Sequence, residues 1–181
     1  IALAKAKPGQ LNIAHSGPGT ITHLTGELFK STAGIDMVNI PYTGSAPATT
    51  AVLSGEGSMI FSTMPPALTH TKAGRLRALA VTTAKRAAPA PDVPTMIEAG
   101  VSGFESVLWN GILVPAKTPR EIVDKINSDM RRILQLPDVK ERFAAQGGEI
   151  SPSTPEQLTA HVKSEIDKWG KVVRVSGARI D

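Results

Sequence analysis

Two short clusters hold most of the residues that could do chemistry: His15-Ser16-Gly17-Pro18-Gly19-Thr20 and Tyr42-Thr43-Gly44-Ser45-Ala46. A histidine beside a serine suggests a nucleophile with its base. A hydrolase elbow reads G-x-S-x-G, however, and Ala14 and Pro18 stand where its glycines belong. The remaining histidines, His23, His70 and His161, have no recognisable partner spacing, and no H-x-x-x-H or D-x-D-x-D pattern offers a metal site. Gly17-Pro18-Gly19-Thr20 lacks the third glycine of a dinucleotide fingerprint and the G-K-[ST] ending of a P-loop. We therefore expect no catalytic residue, no metal and no cofactor.

Backbone chemistry remains. In each cluster a short apolar run meets a turn of Gly, Ser, Thr and Pro, and a helical pattern follows. A strand entering a helix this way leaves unpaired N–H groups at the helix start, backed by the positive end of the peptide dipoles. That is a seat for an anion. Alone, Gly17–Thr20 reads equally well as a tight turn whose Thr20 caps a helix. The second cluster at the equivalent point of the next unit favours binding, and Ser62 and Thr63 add hydroxyls after a third apolar run.

The elements that must position these turns follow from periodicity. Leu11–His15, Met37–Tyr42, Ser58–Phe61 and the alternating Leu76–Thr82 read as strands. Between them, Ile21, Leu24, Leu28 and Phe29 line one face of a helix ending at Gly34. Pro47–Leu53 forms a second helix, and Pro65-Pro66 opens a third that stops at Gly74. Ile1–Lys7 reads as the end of a helix already under way, so residues upstream of Ile1 are expected. This β-α alternation implies a mostly parallel sheet covered by helices, with ligands beyond the carboxyl ends of the strands.

Lys85–Val101 is expected to be an ordered surface connection with one helical turn at Met96–Ala99. Glu105–Pro115 reads as a long strand bent at Asn110-Gly111, with Trp109 open as core or ligand platform. Thr118-Pro119-Arg120-Glu121 and Thr154-Pro155-Glu156-Gln157 are capping boxes. Behind them run the stripes Ile122, Ile126, Met130, Ile133 and Leu158, Val162, Ile166, Trp169, Val173. A further helix runs from Pro137 to Gln146. If these stripes lack a partner, self-association through exposed helix faces is expected.

The bulk numbers agree with an ordinary globule of 181 residues, 41% apolar and 20% charged. A net charge of +4 over that length is a weak argument for nucleic acid, and none is expected as a partner. Lys72, Arg75, Arg77, Lys85 and Arg86 read as a solvated face. There is no cysteine, hence no disulfide or thiolate chemistry, and no apolar run approaches the roughly 18 residues of a membrane span.

Taken together, LNIAHSGPGTITHLTGELF (Leu11–Phe29), VNIPYTGSAPA (Val38–Ala48), LRALAVTTAKR (Leu76–Arg86), DVPTMIEAG (Asp92–Gly100), WNGILVPAKTP (Trp109–Pro119) and EIDKWGKVV (Glu165–Val173) resemble the Bug family. These are the periplasmic substrate-binding receptors of tripartite tricarboxylate transporters. The resemblance implies two α/β lobes of the type II periplasmic-binding-protein kind, closing on an organic acid and delivering it to a membrane permease. Residues 1–103 would form the ligand-binding second lobe. Residues 104–181 would supply a crossover strand and C-terminal helices to an incomplete first lobe. The implied ligand contacts are Ser16, Gly19 and Thr20 at the first turn, Thr43, Gly44, Ser45 and Ala46 at the second, and Ser62 at the third. Family members commonly carry F-D-N where this chain has Phe61-Ser62-Thr63, so a plain carboxylate is expected rather than an amino acid. Two rival readings are an effector-sensing domain of a transcription regulator and an enzyme using His15 and Ser16.

Overall fold

The computed structural model describes residues 1–178. Three short strands form the sheet: β1 (Asn12–His15), β2 (Val38–Pro41) and β3 (Met59–Ile60). Their order is β2-β1-β3 and both pairings are parallel, with Ile13 opposite Asn39 and Met59. Ile13 and Ala14 are fully buried, as the central strand of a sheet covered on both faces requires.

Helix α1 (Ala2–Ala6) precedes the sheet, and α2 (Ile21–Ala33), α3 (Ser45–Leu53) and α4 (Met64–Lys72) each follow a strand. Thr20 caps α2, accepting the His23 N–H at 3.4 Å, and Gly34 closes it in the left-handed conformation. Helix α3 begins two residues before the proline expected to open it. Pro47 then lies in the first turn, where its missing N–H has no partner to lose.

The core gathers Ile13, Phe29, Met37, Met96, Val101 and Phe104. Phe29, Phe61 and Phe104 meet at centroid distances of 5.7–6.2 Å, two of the three pairs edge-on. The expected surface connection is held by a capping arrangement: Glu98 accepts the Thr95 N–H at 2.8 Å, and Thr95 Oγ1 accepts the Glu98 N–H at 3.0 Å. Arg86 adds an ion pair to Glu98 at 2.9 Å. The backbone N–H of Thr95 and the neighbouring guanidinium hold the Glu98 carboxyl below its usual range.

Two expected strands are corrected. Leu76–Thr82 forms no ladder beyond one parallel bridge from Val81 to Thr95, and Leu79 is 63% exposed. Glu105–Pro115 is extended but unpaired apart from a bond from the Ser106 N–H to the Thr82 carbonyl at 2.9 Å. Alternation makes a strand only where a neighbouring backbone completes the ladder, and neither segment meets one.

Helices α5 (Arg120–Ile133), α6 (Pro137–Ala145) and α7 (Pro155–Ser176) complete the chain. The expected box at Thr118 is also corrected. Helix α5 begins one residue later, so the N-cap falls on Pro119, which has no side-chain acceptor. At α7 the box closes both ways: Gln157 Oε1 accepts the Thr154 N–H at 2.9 Å and Thr154 Oγ1 the Gln157 N–H at 3.2 Å.

The described residues divide into two compact units. One comprises Ile1–Leu108 with the residues from Trp169 onward, and the other Trp109–Lys168. In the second, Trp109 packs edge-on against His161 at 4.9 Å and donates to Glu165 at 3.3 Å. Among the described residues no helix is long and apolar enough to cross a membrane. Truncating the fully buried Phe104 to alanine is expected to cost about 3–5 kcal/mol, whereas Leu79→Ala changes stability by less than about 0.5 kcal/mol. Urea unfolding of the two variants checks both.

Candidate receptor site

Because β1, β2 and β3 run parallel, their carboxyl ends emerge along one edge of the sheet, and three strand-to-helix turns leave from that edge. The first two turns are stitched together where the Tyr42 N–H donates to the His15 carbonyl at 2.9 Å. Gly17 lies close to the second turn as well: a Cβ there would sit 3.6 Å from the Tyr42 carbonyl. Ser16, Gly19, Thr20, Thr43, Gly44, Ser45, Ala46 and Ser62 therefore all belong to turns along this edge.

Their donors are not equally free. At the first turn the Ser16 N–H goes to Thr22 Oγ1 at 3.0 Å, and the Ser16 hydroxyl meets the same atom at 2.8 Å. The Gly19 N–H goes to His23 Nδ1 at 3.1 Å, and the Thr20 hydroxyl donates to the Gly17 carbonyl at 2.7 Å. The chain itself thus occupies most of what this turn offers. The amides of Ile21 and Thr22 have no backbone or side-chain acceptor among the described residues. The sequence reading passed over both, although the first amides of any helix are orphans.

The second turn is open. Gly44, at φ +137°, turns the chain into α3, and no side chain caps the helix. Among the described residues the N–H groups of Thr43, Gly44, Ser45 and Ala46 find no acceptor. Thr43, Ser45 and Ala46 are exposed. Neither α2 nor α3 carries an acidic residue in its first turn, so no internal carboxylate competes for either positive helix end. At the third turn the Ser62 hydroxyl donates to the neighbouring Thr63 carbonyl at 3.2 Å.

No hydrolytic pair forms. His15 Nδ1 lies 3.0 Å from the Gly17 carbonyl and 3.3 Å from the Gly17 N–H, while Ser16 turns to Thr22. His15 instead stacks on His23 at 4.4 Å, both rings buried. His23 Nε2 lies 3.8 Å from Glu27, whose carboxylate also accepts from Asn39 and Lys30. A groove of about 410 Å³ elsewhere, beside the starts of α5 and α7, is a poorer anion seat: its Arg120 is already paired with Asp124 and Glu156.

Comparison with known proteins gives the family. Residues 1–178 match the model of the tripartite tricarboxylate transporter family receptor. The chain belongs to that family. It is 37% identical over 180 residues to the protein BugT of Bordetella pertussis, covering 99% of this chain and 55% of BugT. The R. palustris protein Rpa4515, solved with adipate, superposes with a TM-score of 0.86 at 34% identity, covering 98% of this chain and 59% of that one. MatC of Rhodopseudomonas palustris, solved with bound malate, gives 0.75 at 30% identity, covering 95% of this chain and 60% of its own. The chain thus spans about half the length of the first curated relatives it matches and about three fifths of these solved chains. The expected α/β receptor fold, with a parallel sheet flanked by helices, is the fold these relatives share. The family is one of solute receptors, not of enzymes, which removes the His15–Ser16 enzyme reading.

Burial pushes both imidazoles of the stacked pair below the ordinary value of about 6.5, with the Glu27 carboxylate pulling the other way. Between the lowered values and 6.5 the folded chain holds fewer protons than the unfolded one. Stability contributed by the pair is therefore complete above pH 6.5 and is lost as pH falls through that window. Denaturation at pH 7.5 and 5.5 should show a loss on acidification that His15→Phe reduces.

Proposed function

We propose that this chain supplies the main ligand-binding lobe of a periplasmic receptor for small dicarboxylates, which passes its cargo to the permease of a tripartite tricarboxylate transporter. Residues 1–103 are assigned to that lobe and residues 104–181 to the crossover and helices of the other. One carboxylate is received by the amides of Thr43, Gly44, Ser45 and Ala46 and the hydroxyls of Thr43 and Ser45. Ser16, Gly19, Thr20 and Ser62 line the remainder of the ligand's path, joined by the amides of Ile21 and Thr22.

The observation that carries this reading is the run of four successive amides at the head of α3 with no acceptor among the described residues. Burying such a run costs free energy unless an acceptor arrives, and a carboxylate oxygen is the strong one. Family membership and relatives solved with adipate and malate support the ligand class. A periplasmic location is supported by the solved relative BugD, a periplasmic binding protein. Ser62 offers a hydroxyl and no carboxylate to a ligand's ammonium group, which favours a plain carboxylate. Self-association belongs to the same proposal, since Ile122, Ile133 and Ile166 are exposed.

Because one lobe supplies only part of a closing cleft, malate and adipate are expected to bind the 181-residue chain in the millimolar range. Amide shifts should be confined to Thr43–Ala46 and the Ile21–Thr22 pair. Ser45→Asp, which sets a fixed carboxylate in the seat, should abolish those shifts with the circular dichroism unchanged. Undiminished malate binding in that variant overturns the assignment.

A further inference from the structure

Gly19 is implied as a ligand contact, yet its amide is held by the imidazole of His23. The bond fixes the ring's protonation. To accept from the Gly19 N–H, Nδ1 must carry a lone pair, so the proton of the neutral ring is on Nε2, on the side facing Glu27 at 3.8 Å. A second proton can enter only at Nδ1. There it meets the Gly19 N–H at 3.1 Å, donor against donor, and the contact must open.

We propose that His23 is a proton-operated latch on the first anion seat: neutral, it holds the Gly19 amide inside the chain, and protonated at Nδ1 it releases that amide toward the ligand. The released N–H and the new positive charge act in the same sense, so anion binding and proton uptake reinforce one another. This deepens the receptor reading and rests on it for the identity of the ligand.

His15 plays a different part. Its Nδ1 lies 3.0 Å from the Gly17 carbonyl and 3.3 Å from the Gly17 N–H, so a proton on that nitrogen opposes one donor but finds an acceptor already in place, which the Gly19 contact of His23 lacks. Its ring lies 4.4 Å from His23 and nearly parallel to it, so charging one imidazole opposes charging the other. The charged groups acting on the pair are Glu27 and Lys30 of α2, which act in opposite senses on His23, and the His23 ring, which acts on His15. Strand β2 contributes the neutral amide of Asn39, bonded to Glu27. Where the end of α7 borders Glu27 and Lys30, it brings Val172, Val175 and Ser176, none of them charged.

The decisive experiment needs no ligand. In the 181-residue chain the Gly19 amide is followed by ¹⁵N–¹H correlation and the histidine rings by their Cε1–H signals, from pH 8 to pH 5. The Gly19 resonance should move with the same midpoint as His23 and become independent of pH in His23→Gln, whose side-chain oxygen accepts without titrating. His15→Phe, which keeps a ring on the stack, should preserve the coupling. A Gly19 amide that stays still while His23 titrates in the unaltered chain overturns the latch, whatever the chain binds.

A second arm adds malate, still largely dianionic at pH 5.5. Half-saturation of the amide shifts should come at several-fold lower malate at pH 5.5 than at pH 8, about tenfold being the limit for a one-unit shift of the His23 midpoint. Equal half-saturation at the two pH values also overturns the latch. No malate shift at either pH, with Gly19 and His23 still titrating together, rejects the carboxylate reading and upholds the latch.

Discussion

The parallel pairing of β1 with both neighbours is the constraint on which the rest depends. Parallel strands send their carboxyl ends to the same edge, so three turns that are far apart in sequence open side by side. The bond from the Tyr42 N–H to the His15 carbonyl extends that pairing one step into the turns and ties the two seats together. Fully buried Ile13 and Ala14 hold β1 in place. A one-residue slip would exchange the faces of these apolar side chains and bring Asn12 into the place of Ile13, or His15 into that of Ala14, according to its direction. Site and core are therefore set by the same register.

Within that frame the two seats differ in what they owe to the chain. A hydrogen bond from Gly19 to a ligand must first break the one to His23, so its net gain is an exchange of partners. A ligand bonding Ser45 or Ala46 displaces only water. The second seat is thus the better first point of capture, and the first is better suited to respond after capture. That order agrees with the burial of the two turns: Thr43, Ser45 and Ala46 are exposed, whereas Ser16, Gly19 and Thr20 are half-buried beside the histidine stack.

The sequence made legible whatever depends on local chemistry. Thr20 and Gly34 mark the ends of α2 because capping and left-handed closure are decided within a few residues. The box at Thr154 closes for the same reason. Leu76–Thr82 and Glu105–Pro115 carry strand-like residues, but a ladder needs a second backbone, and no local pattern says whether one arrives. The occupancy of the first seat was equally hidden. Glycine-rich turns announce free amides, while the acceptors that claim them, His23 Nδ1 and Thr22 Oγ1, lie one helical turn away on residues with no motif of their own. The eight implied site residues fall on one sheet edge, and the structure differentiates them by which donors remain available.

Neither turn contains a lysine or arginine, and this absence shapes the chemistry on offer. A carboxylate held by a buried guanidinium gains a strong bidentate bond, but the cation must be desolvated and is stranded when the ligand leaves. Amides at a helix start carry only partial charge, and water takes the ligand's place after release. Their contribution per bond is modest, so useful affinity requires several of them to converge and water to be excluded. Such a seat suits reversible binding rather than retention. It also makes the site responsive to any group that adds or removes a full charge nearby. The His15–His23 stack lies beside the first turn, where a single proton alters both the field and the supply of donors.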